Sequence, residues 1–454
     1  MHTLASRLLL YASDDPDSVL NTLARLSERV SPPPCAFPGA EEENAVRNGS
    51  LSRPDYDWIL SYRLTAKRIL SLEETYRISG NLWQAYLAFH LATDDNPFTR
   101  ACALGLGPSS LREVARREAK VWFDLFHYDF SVLDKKAGAP FFASLMDEWD
   151  NAGRMGGNDA GDKLLVLRER LAAAGDPDTF LELLADFIRQ NGCGLSCLHK
   201  AFRVVPGPVF RLEPVDRTSS GTLDDLIGCE RQKKQMTENL EAFMNGLPFN
   251  HMLLYGDAGT GKSTSVKALL NMYAPRGLRL IEVRKQQLEH LEAAIEHCRK
   301  RSSRFLICID DLSFEENETG YKHLKAVIEG GVRDDPPNVM LVATSNRRHL
   351  VREDWKDRSD MEHSGDVHRS DTLEEKLSLA ARFGCAVCFS VPNPKGYQEI
   401  VSAIYKREGG QGMEEDELRR LASAWEIRHG GPSGRTARQF VNGLLARERR
   451  KETE

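Results

Sequence analysis

The spacing of apolar and polar positions changes character once along the chain. From about residue 55 to residue 200, apolar residues recur at intervals of three and four. Leu82, Tyr86 and Phe89 form one such run, and Val114, Trp122, Leu125, Phe126, Phe130 and Leu133 form another within a charged stretch. Leu164–Leu171 and Phe180–Ile188 add two more. This spacing predicts amphipathic helices, and few β-branched runs interrupt them. Beyond about residue 222, short continuous apolar runs alternate with helical patterns. Strands are predicted at 250–255, 278–283, 304–309, 338–344 and 385–390, the texture of βαβ units on a parallel sheet. After Pro394 the pattern is helical again.

Two breaker-rich segments punctuate these textures. Residues 31–54, with Pro32-Pro33-Pro34, Gly39, Glu41-Glu42-Glu43, Asn48-Gly49-Ser50 and Pro54, predict a loop or linker. Residues 204–222, with Pro206, Gly207, Pro208, Pro214, Ser219, Ser220 and Gly221, predict a second linker. The expected organisation is an α-helical N-terminal region over 1–203, a linker over 204–222, an α/β core over 223–392 and a small helical subdomain over 393–454. No repeat of about 20–50 residues is visible, which sets solenoids and propellers aside. Trp58, Trp83, Trp122 and Trp149 read as core between packed helices, and nothing in the helical half points to a chemistry.

Composition narrows the class. Of 454 residues, 41% are hydrophobic and 28% charged, which excludes collagen-like and wholly disordered chains. The net charge of −6 is uneven: residues 1–200 hold 22 basic and 28 acidic side chains, and residues 201–454 hold 39 of each. Neither half is a basic cloak, so nucleic acid is not the favoured partner, although a local patch stays open. Nine scattered cysteines make no disulfide framework. The first ten residues carry an apolar run too short for a secretory signal and broken by Arg7. No stretch approaches the ~18–20 apolar residues that span a bilayer. The expectation is a cytoplasmic protein with no membrane partner.

The chemistry gathers at three strand ends. Gly256-Asp257-Ala258-Gly259-Thr260-Gly261-Lys262-Ser263 is a full GxxxxGK[ST] loop, following the strand Met252-Leu253-Leu254-Tyr255 and opening a helix at Thr264. Its glycines let backbone N–H groups close around phosphate oxygens, Lys262 brings a point charge to the β- and γ-phosphates, and the Ser263 hydroxyl suits Mg²⁺. The apolar run Arg304–Ile309 ends in Asp310-Asp311. A strand there delivers Asp310 beside the loop to hold Mg²⁺ through its water shell, and Asp311 to polarise an attacking water. The third run, Val339–Ala343, ends in Thr344-Ser345-Asn346, where an amide can orient that water or sense the γ-phosphate.

In this order, phosphate loop, paired acids, Asn-ended strand and helical tail resemble the AAA+ ATPases. Residues from about 210 to 445 more narrowly resemble an uncharacterised bacterial family of predicted AAA+ ATPases. The resemblance is carried by Asp225-Leu226-Ile227-Gly228, Leu254-Tyr255-Gly256, Gly277–Val283, Asp310–Glu315, Ala343–Leu350, Glu375–Leu379, Arg382-Phe383-Gly384 and Ser433–Phe440. It implies an α/β P-loop NTPase core with a parallel sheet and a C-terminal helical lid, beside the all-α N-terminal domain. It also implies ATP and Mg²⁺ as cofactors, adenine held at Leu226-Ile227-Gly228, Asn346 as first sensor, and Arg435 as second sensor on the lid with Arg438 in reserve. Arg382 falls at the arginine-finger position, which reaches the nucleotide of a neighbouring subunit; a homo-oligomer formed on ATP binding follows. Each guanidinium offers a planar donor fork to crowded phosphate oxygens.

Most AAA+ proteins end the acid strand in Asp-Glu. Here Asp311 is one methylene shorter, so water activation is weaker or shared with Glu315, and slow hydrolysis is open. The implied function is Mg²⁺-dependent ATP hydrolysis coupled to oligomerisation and to remodelling or loading of an unknown protein client. The alternative is a non-catalytic or slow nucleotide-gated switch, in one form a DNA-associated loader. A P-loop kinase leaves Asn346, Arg382 and Arg435 unexplained.

Weaker constellations remain. Cys193, Cys197 and His199 lack a fourth metal ligand and read as buried side chains. Cys385 and Cys388, three apart on a strand, point to opposite faces and read as core. The polar stretch 353–375 reads as a solvated loop or a contact element, and Arg347, Arg348 and Arg352 before it as a local basic patch.

Overall fold

The computed structural model describes residues 7–12, 15–29, 53–106, 109–146, 159–215, 218–313, 320–328, 336–346 and 382–453. The chain divides into two units, residues 1–199 and 200–454.

The first unit is helical: α1 (Val19–Glu28), α2 (Arg53–Tyr76), α3 (Leu82–Thr93), α4 (Pro97–Ala103), α5 (Ser109–Phe126), α6 (Ser131–Ala137), α7 (Ala143–Met146), α8 (Asp159–Ala172) and α9 (Pro177–Asn191). Local chemistry starts several of them. The side chains of Asn81, Asn96 and Asp176 accept first-turn N–H groups. Pro97 and Pro177 follow two of these caps, where a missing N–H costs the helix nothing. Trp58, Trp83 and Trp122 are buried in the shared core, as their spacing suggested. Phe130 stacks on Phe142 with ring centroids 4.2 Å apart, and Trp83 meets Phe130 edge-on at 5.0 Å. Trp149 lies outside the described residues. Cys193, Cys197 and His199 are also buried, with His199 Nε2 3.2 Å from Tyr76 Oη. Among the described residues, no three His, Cys, Asp or Glu side chains gather as a metal site requires.

The second unit is built on a seven-stranded sheet of β1 (Ala201–Val204), β2 (Leu212–Pro214), β3 (Met252–Gly256), β4 (Leu278–Val283), β5 (Arg304–Ile309), β6 (Val339–Ser345) and β7 (Cys385–Phe389). The spatial order is β2-β1-β4-β5-β6-β3-β7, and every pair but β1–β2 is parallel. Every residue of β6 is buried, and only Arg304 and Glu282 escape full burial in β5 and β4. Unbroken apolar runs are what a parallel sheet covered on both faces demands. The helices of the core are α10 (Glu230–Met244), α11 (Lys262–Tyr273), α12 (Leu291–Arg299) and α13 (Gly320–Ile328). After β7, α14 (Pro394–Arg407), α15 (Glu415–Arg428) and α16 (Gly434–Thr453) pack around a core of their own that includes Tyr397, Val401, Leu418, Ala422 and Val441.

Two elements differ from expectation. Strand β1, counted with the helical region by its position, and β2, inside the expected linker 204–222, form a hairpin that extends the sheet beside β4. Each is too short for a periodic signal, and the prolines between them mark a turn as readily as a linker. Cys385 and Cys388 do lie on opposite faces, but only Cys385 is core; Cys388 is exposed because the outer face of β7 is open at that position.

In the helical unit a buried carboxylate ties down the chain before α1. Glu118 on α5 is 2% exposed, and its Oε1 accepts the N–H groups of Leu9 (2.8 Å) and Leu10 (2.7 Å) while Oε2 accepts that of Tyr11 (3.3 Å). Glu118→Ala removes the acceptor of all three donors, and a buried donor left unpaired costs about 1–3 kcal/mol. Urea denaturation of the full chain should show a loss of that order, with hydrogen exchange accelerated first at residues 9–11. Unchanged exchange there would mean that apolar packing alone holds the segment.

Candidate nucleotide-binding site

The loop between β3 and α11 is shaped by two close approaches. Gly256 has φ +132°, and a Cβ there would sit 2.0 Å from the Phe389 carbonyl oxygen, so only glycine lets β3 leave the sheet hard against β7. Asp257 N–H then donates to that same oxygen at 3.1 Å. At Gly259 (φ +76°) a Cβ would meet Ser433 Oγ at 3.1 Å and Arg435 Cβ at 3.2 Å, so the lid rests directly on the loop. Within the loop the Thr260 hydroxyl donates to the Asp257 carbonyl at 2.7 Å. Lys262, 6% exposed, donates through Nζ to the carbonyls of Gly256 (2.8 Å) and Asp257 (2.7 Å). Burial pushes its pKa down, Asp257, Asp311 and Asp310 pull it back up, and Arg435 adds to the lowering. An ammonium in the first turn of a helix, where the first backbone N–H groups have no partner within the helix, is a site for polyanionic oxygen.

The acids meet the loop from β5. Ser263 Oγ donates to Asp310 Oδ1 at 2.6 Å, and Thr344 Oγ1 donates to the same oxygen at 2.6 Å. Asp311 adopts φ +54°, a left-handed conformation uncommon outside glycine. Its N–H donates to Thr344 Oγ1 at 3.0 Å, and its Oδ1 accepts from Asn346 Nδ2 at 2.8 Å. The Ser263 hydroxyl and the Asp310 carboxylate are hard oxygen donors on one spot, a set that fits Mg²⁺ with water filling the remaining positions. Thr344 was not singled out from the sequence, where the polar cluster ending β6 was read through Asn346 alone.

The lid contributes the N-terminus of α16. Arg435 N–H donates to the Gly259 carbonyl at 3.3 Å. Arg438, one turn on, instead lies 4.0 Å from Glu408 with its side chain 52% exposed. Before the core helices, Leu226 is buried with its Cδ2 2.8 Å from where a Gly261 Cβ would stand. Ile227 is half-buried and Gly228 (φ +76°) exposed. Asp225 accepts Thr222 N–H at 2.8 Å and pairs with Arg407 of α14, joining this turn to the lid. Ala258 and Thr264 are exposed on the same loop and helix start.

Arg382 is not brought to this cluster. It is exposed in the turn before β7, and β7 runs parallel to β3 with Met252 opposite Cys385 and Gly256 opposite Phe389. The four residue steps of β7 span about 13 Å at roughly 3.3 Å each, and Arg382 precedes them, so it sits toward the other end of the sheet from the phosphate loop. Glu315, Arg347, Arg348, Arg352 and residues 353–375 lie outside the described residues.

Phosphate loop between β3 and α11, acid strand β5 separated from β3 by β6, and a helical lid seated on the loop make this unit an AAA+ P-loop NTPase module. Among solved structures, the chain is similar to RuvB of Thermotoga maritima, the Holliday junction branch migration motor, at 19% identity over 49% of this chain and 63% of that one, with a TM-score of 0.33. A point mutant of that protein aligns at 20% identity over 50% and 65% of the two chains, with a TM-score of 0.35. The match thus spans less than two thirds of the RuvB chains. No curated protein matches. A family model described as "Protein of unknown function (DUF815)" matches residues 198–448, more than half of the chain, and the protein is a member of that family.

Proposed function

We propose that this protein binds ATP with Mg²⁺, hydrolyses it, and couples the cycle to assembly with further copies of itself and to remodelling or loading of a protein client. The observation that carries this is the convergence of Lys262, Ser263, Asp310, Asp311, Asn346 and Arg435 at one end of the sheet. Lys262 and the loop N–H groups would hold the β- and γ-phosphates, with Arg435 adding charge from the lid. Leu226 and the Ile227-Gly228 turn offer an apolar edge for the base. Mg²⁺, held through Ser263 and Asp310, would neutralise charge developing on the phosphate oxygens. Asp311 would take the proton of the attacking water, oriented by Asn346. Arg382, before the start of β7 and so away from its own loop at the end of that strand, would serve a nucleotide on a neighbouring copy, which accords with an oligomer.

A slower, switch-like use is favoured by one feature. The short Asp311 side chain is already engaged by Asn346, so its reach toward water is limited. A cytoplasmic setting accords with the eight described cysteines, none of them in a disulfide. No helix among the described residues is long and apolar enough to cross a membrane.

Lys262→Ala should weaken ATP binding by on the order of 10²-fold or more, since hydrogen bonds to a charged partner are the strong ones. Calorimetry reads this directly, and wild-type affinity would remove the phosphate-loop assignment. Asp311→Asn should keep binding and cut turnover by on the order of 10²-fold, because an amide cannot act as base. Undiminished turnover would move that role to Glu315, which Glu315→Gln then tests.

Arg382→Ala should leave nucleotide binding intact and lower turnover by on the order of 10³-fold, the scale of an arginine supplied from outside. Mixed with Lys262→Ala, it should recover part of the activity, because a mixed interface can pair an intact loop with an intact Arg382. No recovery in demonstrably mixed assemblies would sink the action in trans.

A further inference from the structure

We propose that Thr344 is a positioning residue for both acids, an inference that rests on the nucleotide reading of the site. Thr344 is 2% exposed, and its hydroxyl spends its proton and a lone pair on the acid pair. The proton goes to Asp310 Oδ1 at 2.6 Å, and the lone pair receives Asp311 N–H at 3.0 Å. The backbone of the same residue closes the turn that follows, since Leu312 N–H donates to the Thr344 carbonyl at 2.7 Å. One residue of β6 therefore grips three consecutive residues after β5.

Two physical tasks follow from this grip. Asp311 sits at φ +54°, where an L-residue is disfavoured, and its carboxylate direction depends on the backbone staying there. Thr344 Oγ1 is the acceptor that holds its N–H in that conformation, while Asn346 holds its Oδ1. Asp310 has two O–H donors on one oxygen, and they are not equivalent. Ser263 belongs to the phosphate loop and has a second task as a metal ligand. Thr344 belongs to the sheet and keeps Asp310 aimed whatever the loop is doing. Loss of the Thr344 hydroxyl should thus affect the metal-dependent part of binding and the chemical step, and leave the metal-free grip on phosphate to Lys262 and the loop.

The test uses the full chain with Thr344→Val, which keeps the shape and deletes the hydroxyl, Thr344→Ala, and Thr344→Ser, which keeps the hydroxyl. A fluorescent ATP analogue is titrated in EDTA and again across Mg²⁺ concentrations, and turnover is measured alongside thermal unfolding. For Val and Ala, affinity in EDTA should match wild type, the tightening by Mg²⁺ should be lost, and turnover should fall on the order of 10²-fold, the scale of a misplaced reacting group. Serine should restore both. A merely structural threonine would lower the unfolding temperature and leave the Mg²⁺ linkage untouched. A folded Val or Ala variant with wild-type Mg²⁺ linkage and turnover overturns the inference, as does a folded serine variant that restores neither. If wild type itself neither binds the analogue nor responds to Mg²⁺, the nucleotide reading fails and takes this inference with it. If wild type does both, only the part assigned to Thr344 is at stake.

Discussion

One carboxylate oxygen, Oδ1 of Asp310, ties three separate stretches of chain into a site. It terminates β5, accepts the hydroxyl of Ser263 from the first turn of α11, and accepts the hydroxyl of Thr344 from the end of β6. Hydrogen bonds to an ionised acceptor are roughly twice as strong as neutral ones, and both of these, at 2.6 Å, have the length of that class. They form only if β5, β6 and β3 lie in the right order and register. A one-residue slip of β6 would turn Thr344 to the other face of the sheet. The continuous burial of β5 and β6 supplies that register, because their apolar residues must pack on both faces. Core packing and site geometry are thus the same requirement, met at one atom.

Much of this was legible in the order of residues, and the limits have physical causes. Strands β4 and β5 fall at their predicted limits because an unbroken apolar run bounded by polar residues has one reading in an α/β chain. The phosphate loop was legible because its glycines, lysine and serine are contiguous and their geometry is local. The hairpin β1–β2 was not, since its three- and four-residue strands gain stability from pairing with β4, more than 70 residues away, and distant pairing leaves no local period. The role of Thr344 was hidden for a related reason. Its partners are over 30 residues away, and a threonine in a buried strand carries no signal until the strand beside it is known. Between Arg435 and Arg438, spacing cannot choose, because both lie within the first turns of one helix. In the folded chain α16 packs on Gly259 with Arg435 beside the loop, while Arg438 lies 4.0 Å from Glu408, a difference that only tertiary packing creates.

The lid is joined to the core at two separated points with different chemistry. At one, the backbone of α16 touches the Gly259 carbonyl. At the other, Arg407 of α14 pairs with Asp225, whose second oxygen caps the short turn that carries Leu226. Leu226 in turn closes on Gly261. The phosphate loop is therefore touched by the lid directly and by the turn that the lid holds. Because α14 and α16 share one core, a movement of the two as one packed body would alter both of these contacts together.

The two ends of the sheet divide the chemistry. At the carboxyl ends of β3, β5 and β6, Asp257, Asp310, Asp311 and Arg435 all act on Lys262, a balance of charge that bound phosphates would make strongly negative. Among the described residues, the two cations would not offset a triphosphate and three carboxylates together, which is the charge that the proposed Mg²⁺ and an added arginine would meet. Arg382 is the resemblance-implied source of that cation, yet the parallel register of β3 and β7 holds it at the far end. No rotamer of a single side chain spans the length of β7, because an arginine extends only over about two residues' length of strand. In the proposed assembly, the far end of one copy would meet the near end of the next and bring the implied finger to the acids and phosphates. Such head-to-tail stacking would be heterologous, and it would close into a ring or run on as a filament according to the rotation between copies.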